Sequence, residues 1–243
     1  MQLFCFTYAG GNAAFFDLLE LNMGESVEVI KLEYAGHGAR NKEKFYTSFK
    51  ELAQDMYEII HSHSRAHEAY ALFGYSMGSI SVVETLKMIV QREEMALPAH
   101  IFLAAHEPCT KRELEDFNND EADEWIKNRT IKFGGIPEAL ITNKSFWRVY
   151  LPVYRADYAL INGYDFDNLN FTSDIPTTVF YSETDTPYTD IIQWKRYFSG
   201  YFRLICYEGN HFFIREHYKS ITEIIESELK RKKSGGKENR NGK

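Results

Sequence analysis

The chain has 243 residues, 44 % of them hydrophobic and 26 % charged, which fits one soluble domain of ordinary size with a large buried core. Its net charge is −7; seven Lys and Arg against one acid after residue 229 put +6 on the last stretch and −13 on the rest, and so acidic a body argues against nucleic acid as a partner. No apolar run reaches the roughly 18 residues of a membrane-spanning helix, and three scattered cysteines (Cys5, Cys109, Cys206) offer neither a disulfide framework nor metal-ligand spacing, so no metal is expected and a reducing cytoplasm is the simplest setting.

In chain order, apolar runs rich in β-branched and aromatic residues predict strands at 3–6, 27–32, 69–73, 101–104, 178–181 and 203–207. The first is too short, and lacks the basic flank, for a signal peptide. Several runs are apolar almost throughout, as in strands covered on both faces. Between them lie helical patterns. Ser48 with Glu51 gives a capping box, followed by the stripe Phe49, Leu52, Ala53, Met56, Ile59 and Ile60. A helix over 80–90 follows the third strand, and Tyr218, Ile221, Ile224, Ile225 and Leu229 form a last stripe. Strand and helix alternate, which predicts an α/β class: a mostly parallel central sheet with helices on both faces. The alternation breaks once, for about 70 residues after residue 104. Helical patterns at 121–127 and 143–161, with Gly134, Gly135, Pro137 and Pro152 among them, predict a helical lid insertion over about 107–170. Residues 1–229 thus read as a single domain. Residues 230–243 have no apolar side chain and are expected to be a basic, disordered tail.

One motif carries chemistry. Gly74-Tyr75-Ser76-Met77-Gly78 stands between a strand and a helix, the setting of a nucleophile elbow in the α/β-hydrolase fold. Ser76 needs a base, and this fold orders its triad as serine, acid, histidine. His211, after the last strand and the turn 208–210, has that placement. His61, His63 and His67 read as solvated, while His37 and His106 follow strands and could approach the site. The acid belongs after the fifth strand, where Asp185 is preferred to Glu183 and Asp190. The oxyanion requires backbone donors: the N–H of Met77, and one from the loop 7–11, either Tyr8 or Ala9, with Tyr8 preferred. That loop lacks the G-x-G-x-x-G spacing of a dinucleotide site.

With those residues placed, the chain resembles the stand-alone type II thioesterases of nonribosomal peptide and polyketide synthesis. The resemblance runs from about residue 3 to 213. It rests on Tyr8-Ala9-Gly10-Gly11, Tyr34-Ala35-Gly36-His37-Gly38-Ala39-Arg40, the elbow, Phe133-Gly134-Gly135-Ile136-Pro137, Leu151-Pro152-Val153-Tyr154-Arg155-Ala156-Asp157-Tyr158, Asp185 and His211-Phe212-Phe213. It implies an α/β-hydrolase that removes acyl or aminoacyl groups from the phosphopantetheine arm of carrier-protein domains, with no cofactor of its own. Ser76, Asp185 and His211 match the family's triad, and Tyr8 and Met77 its oxyanion donors. A monomer is expected. Thr7, Ser182 and Asn210 depart from the pattern, which often has proline, glycine and glycine there; asparagine tolerates positive φ at the last of these. The lid would form a tunnel that Trp147, Tyr150 and Tyr154 either line or merely pack beside. Lys132, Lys144, Arg148 and Arg155 are either carrier contacts or ordinary solvated charges. A medium-chain fatty acyl thioesterase or a small-ester hydrolase would share the same catalytic residues.

Overall fold

A computed structural model of the chain describes residues 1–110 and 112–235. Among these residues, six strands, β1 (Gln2–Phe6), β2 (Glu28–Lys31), β3 (Tyr70–Tyr75), β4 (Ile101–Ala104), β5 (Thr177–Ser182) and β6 (Phe202–Tyr207), form one sheet in the order β2-β1-β3-β4-β5-β6. Every pairing is parallel. Among the described residues, eight α-helices accompany it: α1 (Asp17–Asn22), α2 (Phe49–His63), α3 (Met77–Arg92), α4 (Asp120–Phe133), α5 (Glu138–Ile141), α6 (Lys144–Gly163), α7 (Tyr188–Ile191) and α8 (Ile214–Gly235).

The inner strands are buried on both faces because each face has its own core. Phe4, Phe6, Leu72, Leu103 and Val179 pack with α2, α3 and the lid helices. Leu3, Cys5, Phe73, Phe102 and Phe180 alternate with them and meet Phe16 and Leu19 at α1, and Ile214, Ile221 and Ile225 of α8. The predicted stripes of α2 and α8 are the faces that enter these cores. Ser48 caps α2 as expected, its hydroxyl accepting from Glu51 N at 3.2 Å.

Strand order reverses at β1: the chain goes outward to β2 and returns to β3 on the other side. Such a switch point opens a crevice at the carboxyl ends of the strands, between the loops leaving β1 and β3. The insertion between β4 and β5 carries α4, α5 and α6. Helix α6 runs unbroken through Pro152. Helix α8 runs to Gly235, past the boundary expected at 229. Its extension is supported by Lys230–Glu226 and Arg231–Glu228 ion pairs one turn apart, and adding residues to an existing helix avoids the cost of nucleation. The rest of the predicted tail, 236–243, lies outside the described residues. Among those described, no helix is long and apolar enough to cross a membrane.

Candidate active site

The loop from β3 to α3 is as tight as its sequence predicts. Ser76 has φ 54° and ψ −119°, a strained conformation for a residue with a side chain. Glycine is required on both sides by crowding. A Cβ at Gly74 would lie 2.2 Å from the carbonyl oxygen of Gly78, and one at Gly78 would lie 2.2 Å from that of Phe6. These approaches let the turn sit directly against β1. Ser76 N donates to Ala104 O at 2.8 Å, and the buried Ser79 hydroxyl donates to the carbonyls of Gly74 and Ala104, both at 3.1 Å. The Ser76 side chain is thereby raised above the sheet at the N-terminus of α3.

The three side chains singled out in the sequence come together there. His211 Nε2 lies 2.9 Å from Ser76 Oγ, and His211 Nδ1 lies 2.9 Å from both oxygens of Asp185. A carboxylate only accepts, so Nδ1 carries the proton, and in the neutral ring Nε2 is left to accept from the serine hydroxyl. Ser76 and His211 are 8 % and 7 % exposed, which shields these contacts from bulk water. The imidazole is clamped from several sides. Phe133 of α4 stacks on it with ring centres 4.3 Å apart. Tyr75 OH donates to the His211 carbonyl at 2.5 Å, and burial pushes that phenol far above its ordinary pKa, so it stays a neutral donor. The hydroxyls of Ser182 and Thr184 both donate to Gly209 O, tying the Asp185 loop to the His211 loop.

The alternatives lie elsewhere. Glu183 is exposed and accepts from Tyr188 N, and Asp190 is exposed on α7. His61, His63 and His67 are exposed. His106 borders the cavity beside Ser76, while His37 turns to Asp157 of α6, with 2.9 Å between Nε2 and Oδ2. At the family departures, the positive φ falls on Gly209 (118°) rather than on Asn210, whose side chain accepts from Phe212 N at 2.8 Å. Ser182 supplies the loop-to-loop bond just described.

Met77 N, Tyr8 N and Ala9 N make no hydrogen bond among the described residues. The first is an unsatisfied donor of a helix start, and the other two lie on the loop next to it. Gly10 N is committed to Asp157 Oδ2 at 2.6 Å and Gly11 N to Tyr8 O at 2.9 Å.

Among the described residues, cavities that reach Ser76 include two bordered by both Phe133 and Tyr158. One, of about 110 Å³, is walled by Ile80, Trp125, Ile161 and Phe166 and by polar groups that include Arg129, Glu113 and Asn162. The other, of about 20 Å³, is lined by Tyr8, Ala9, Thr130, Gly135, Tyr154 and Phe212. Of the aromatics suggested for a tunnel, only Tyr154 lines it. Trp147 donates its indole N–H to Ile141 O within the lid, and Tyr150 stacks on Phe146 near the surface. Lys132, Lys144 and Arg148 are exposed, and Arg155 pairs with Asp123. The sequence offered no role for Phe133 or Arg129; the aromatic residue before Gly134-Gly135 was the available signal.

A family model described as a thioesterase domain matches residues 1–229. The medium-chain S-acyl fatty acid synthase thioesterase of Rattus norvegicus is 27 % identical over 217 residues, covering 88 % of this chain and 81 % of that protein. Gramicidin S biosynthesis protein GrsT of Aneurinibacillus migulanus is 25 % identical over 232 residues, 93 % of this chain and 86 % of that one. Among solved structures, RedJ, a thioesterase from the prodiginine biosynthetic pathway of Streptomyces coelicolor, matches with a TM-score of 0.83 at 27 % identity, covering 93 % of this chain and 85 % of that one.

Proposed function

For a chain that belongs to the thioesterase domain family, we propose that Ser76, His211 and Asp185 are the catalytic triad and that the substrate is a short acyl or aminoacyl group on the phosphopantetheine arm of a synthase carrier protein. The observation that carries this reading is the unbroken contact series Asp185–His211–Ser76, with 2.9 Å at each step. Its chemistry is direct. His211 Nε2 takes the hydroxyl proton as Ser76 Oγ attacks the thioester carbonyl. The oxyanion receives the N–H groups of Met77 and Tyr8. Collapse breaks the C–S bond and expels the pantetheine thiolate, a good leaving group that takes up the proton on its way out. Water then gives a proton to His211 as it attacks the acyl-serine; collapse breaks the bond to Ser76 Oγ, which takes that proton back from His211, and the free acid leaves. No cofactor takes part, and the partner is a carrier domain, freed for reloading.

Relatives named for gramicidin S and prodiginine biosynthesis support an editing role, whereas the rat relative, named for the medium chain, supports fatty acyl groups. Size favours the first. The larger cavity at Ser76 measures about 110 Å³, less than the ~150 Å³ that takes a single benzene ring. Such a space suits a short acyl group better than an eight-carbon chain. We therefore expect propionyl- or alanyl-loaded carrier protein to be hydrolysed at least about tenfold faster, by kcat/KM, than octanoyl-loaded carrier protein, a penalty of the size that misfit in an apolar pocket imposes. The same acyl groups on free pantetheine and on a simple alcohol ester complete the series. A preference for octanoyl would move the assignment to fatty acyl hydrolysis, and equal rates on the simple ester would remove the carrier from it.

A further inference from the structure

A second buried His–Asp pair lies outside the triad. Asp157, on the lid helix α6, is 2 % exposed and His37, on the loop after β2, is 3 % exposed. His37 Nε2 lies 2.9 Å from Asp157 Oδ2, and His37 Nδ1 lies 3.0 Å from Ala35 O. Both ring nitrogens face acceptors. A neutral imidazole has one N–H, so only the doubly protonated ring satisfies both. Burial alone would lower the His37 pKa, but the Asp157 charge and hydrogen bond, with the Ala35 carbonyl and more distant Glu33, outweigh it and raise it.

The same Asp157 oxygen accepts from Gly10 N at 2.6 Å. Gly10 has φ +77°, and the Tyr154 ring, one turn earlier on α6, fills the space a Cβ would need, 2.0 Å away. The loop 7–11 is thus fastened to α6 at the residue two places beyond Tyr8. Neither His37 nor Asp157 lines a cavity that reaches Ser76, so neither touches substrate there.

We propose that the His37–Asp157 ion pair is a positioning device that couples seating of the lid helix to the placement of the oxyanion-donor loop. The inference rests on the reading of Ser76 as nucleophile and Tyr8 N–H as donor. With α6 seated, the carboxylate holds Gly10 and the Tyr8 N–H points where negative charge develops. When α6 lifts, the loop loses its anchor and the donor its aim. Hydrolysis is then confined to the state in which the lid is closed over an arm.

The test uses propionyl-pantetheine thioester and the full chain. Asp157→Ala is expected to lower kcat by about 30- to 100-fold with KM changed less than about threefold, since a misplaced oxyanion donor weakens the transition state more than the ground state. Asp157→Asn keeps an oxygen for Gly10 N and is expected to recover to within about tenfold of wild type. A folded Asp157→Ala chain with unchanged kcat, or a loss confined to KM, overturns the proposal. If Asp157→Ala fails to fold, the pH profile of His37→Gln decides. The groups facing His37 are Asp157 from α6, Glu33 and Tyr34 from the loop after β2, and the Ala35 carbonyl. The protonated ring is the holding form, so wild-type kcat is expected to fall as pH rises through the raised His37 pKa. That alkaline limb should be absent in His37→Gln; an identical limb in both also overturns the proposal. Ser76→Ala serves as the separate control: activity surviving there would remove the nucleophile reading, whatever the Asp157 and His37 variants do.

Discussion

Ser76→Ala is expected to abolish thioester hydrolysis, with kcat reduced by roughly 10⁴-fold or more. The variant keeps everything except the reacting oxygen. Among the described residues the hydroxyl makes one hydrogen bond, to His211 Nε2, and the turn is held by backbone and by Ser79, not by this side chain. Alanine has the same Cβ, so the strained φ of 54° costs it no more than it costs serine. Stability is therefore expected within about 1 kcal/mol of wild type, as for loss of a single hydrogen bond, and chemical denaturation checks that the fold survives. Thiol release from a carrier-bound acyl group measures the loss. What remains is the background that donors and binding give without a nucleophile. A rate within about tenfold of wild type would mean that water, or another group, attacks the carbonyl directly.

Asp185→Asn is the second large effect, expected to reduce kcat by about 10³- to 10⁴-fold. The carboxylate holds the proton on His211 Nδ1 through two oxygens, both at 2.9 Å. An amide can present its NH₂ to that nitrogen instead. The ring then carries its proton on Nε2, faces Ser76 with a donor, and cannot take the hydroxyl proton. The imidazolium formed during attack also loses its counter-charge. Glu183→Gln and Asp190→Asn provide the contrast and are expected within about twofold of wild type, because both side chains are exposed and neither bonds to His211. A large loss in Glu183→Gln with little in Asp185→Asn would reassign the acid.

Much of this arrangement was legible in the sequence because it depends on local patterns. Strand runs at 101–104 and the stripes of α2 and α8 follow from burial with a fixed period. The flanking glycines of Ser76 report a turn too crowded for Cβ atoms. What stayed hidden depends on contacts between distant segments. Periodicity identifies the face of α6 that carries Tyr154 and Tyr158, but it does not reveal that Asp157, on a buried part of that helix, meets His37 some 120 positions away in the chain. His37 looked as free to approach Ser76 as His106 did, and only the packing of α6 decides where it goes. The end of α8 was misplaced for a related reason: composition after residue 229 is that of a solvated tail, while ion pairs one turn apart carry the helix onward. Asn210 was read as a residue accommodating positive φ, but the adjacent Gly209 takes that conformation.

A fluorophosphonate reagent tests the central claim most directly, because it forms an oxygen–phosphorus bond with a serine activated by its neighbours, with fluoride leaving. Intact-mass and peptide analysis should find one adduct per chain, on Ser76, formed in step with the loss of thioesterase activity and suppressed in His211→Ala. A fully modified chain that still hydrolyses thioesters, or an adduct on some other residue accompanying the loss, would contradict it.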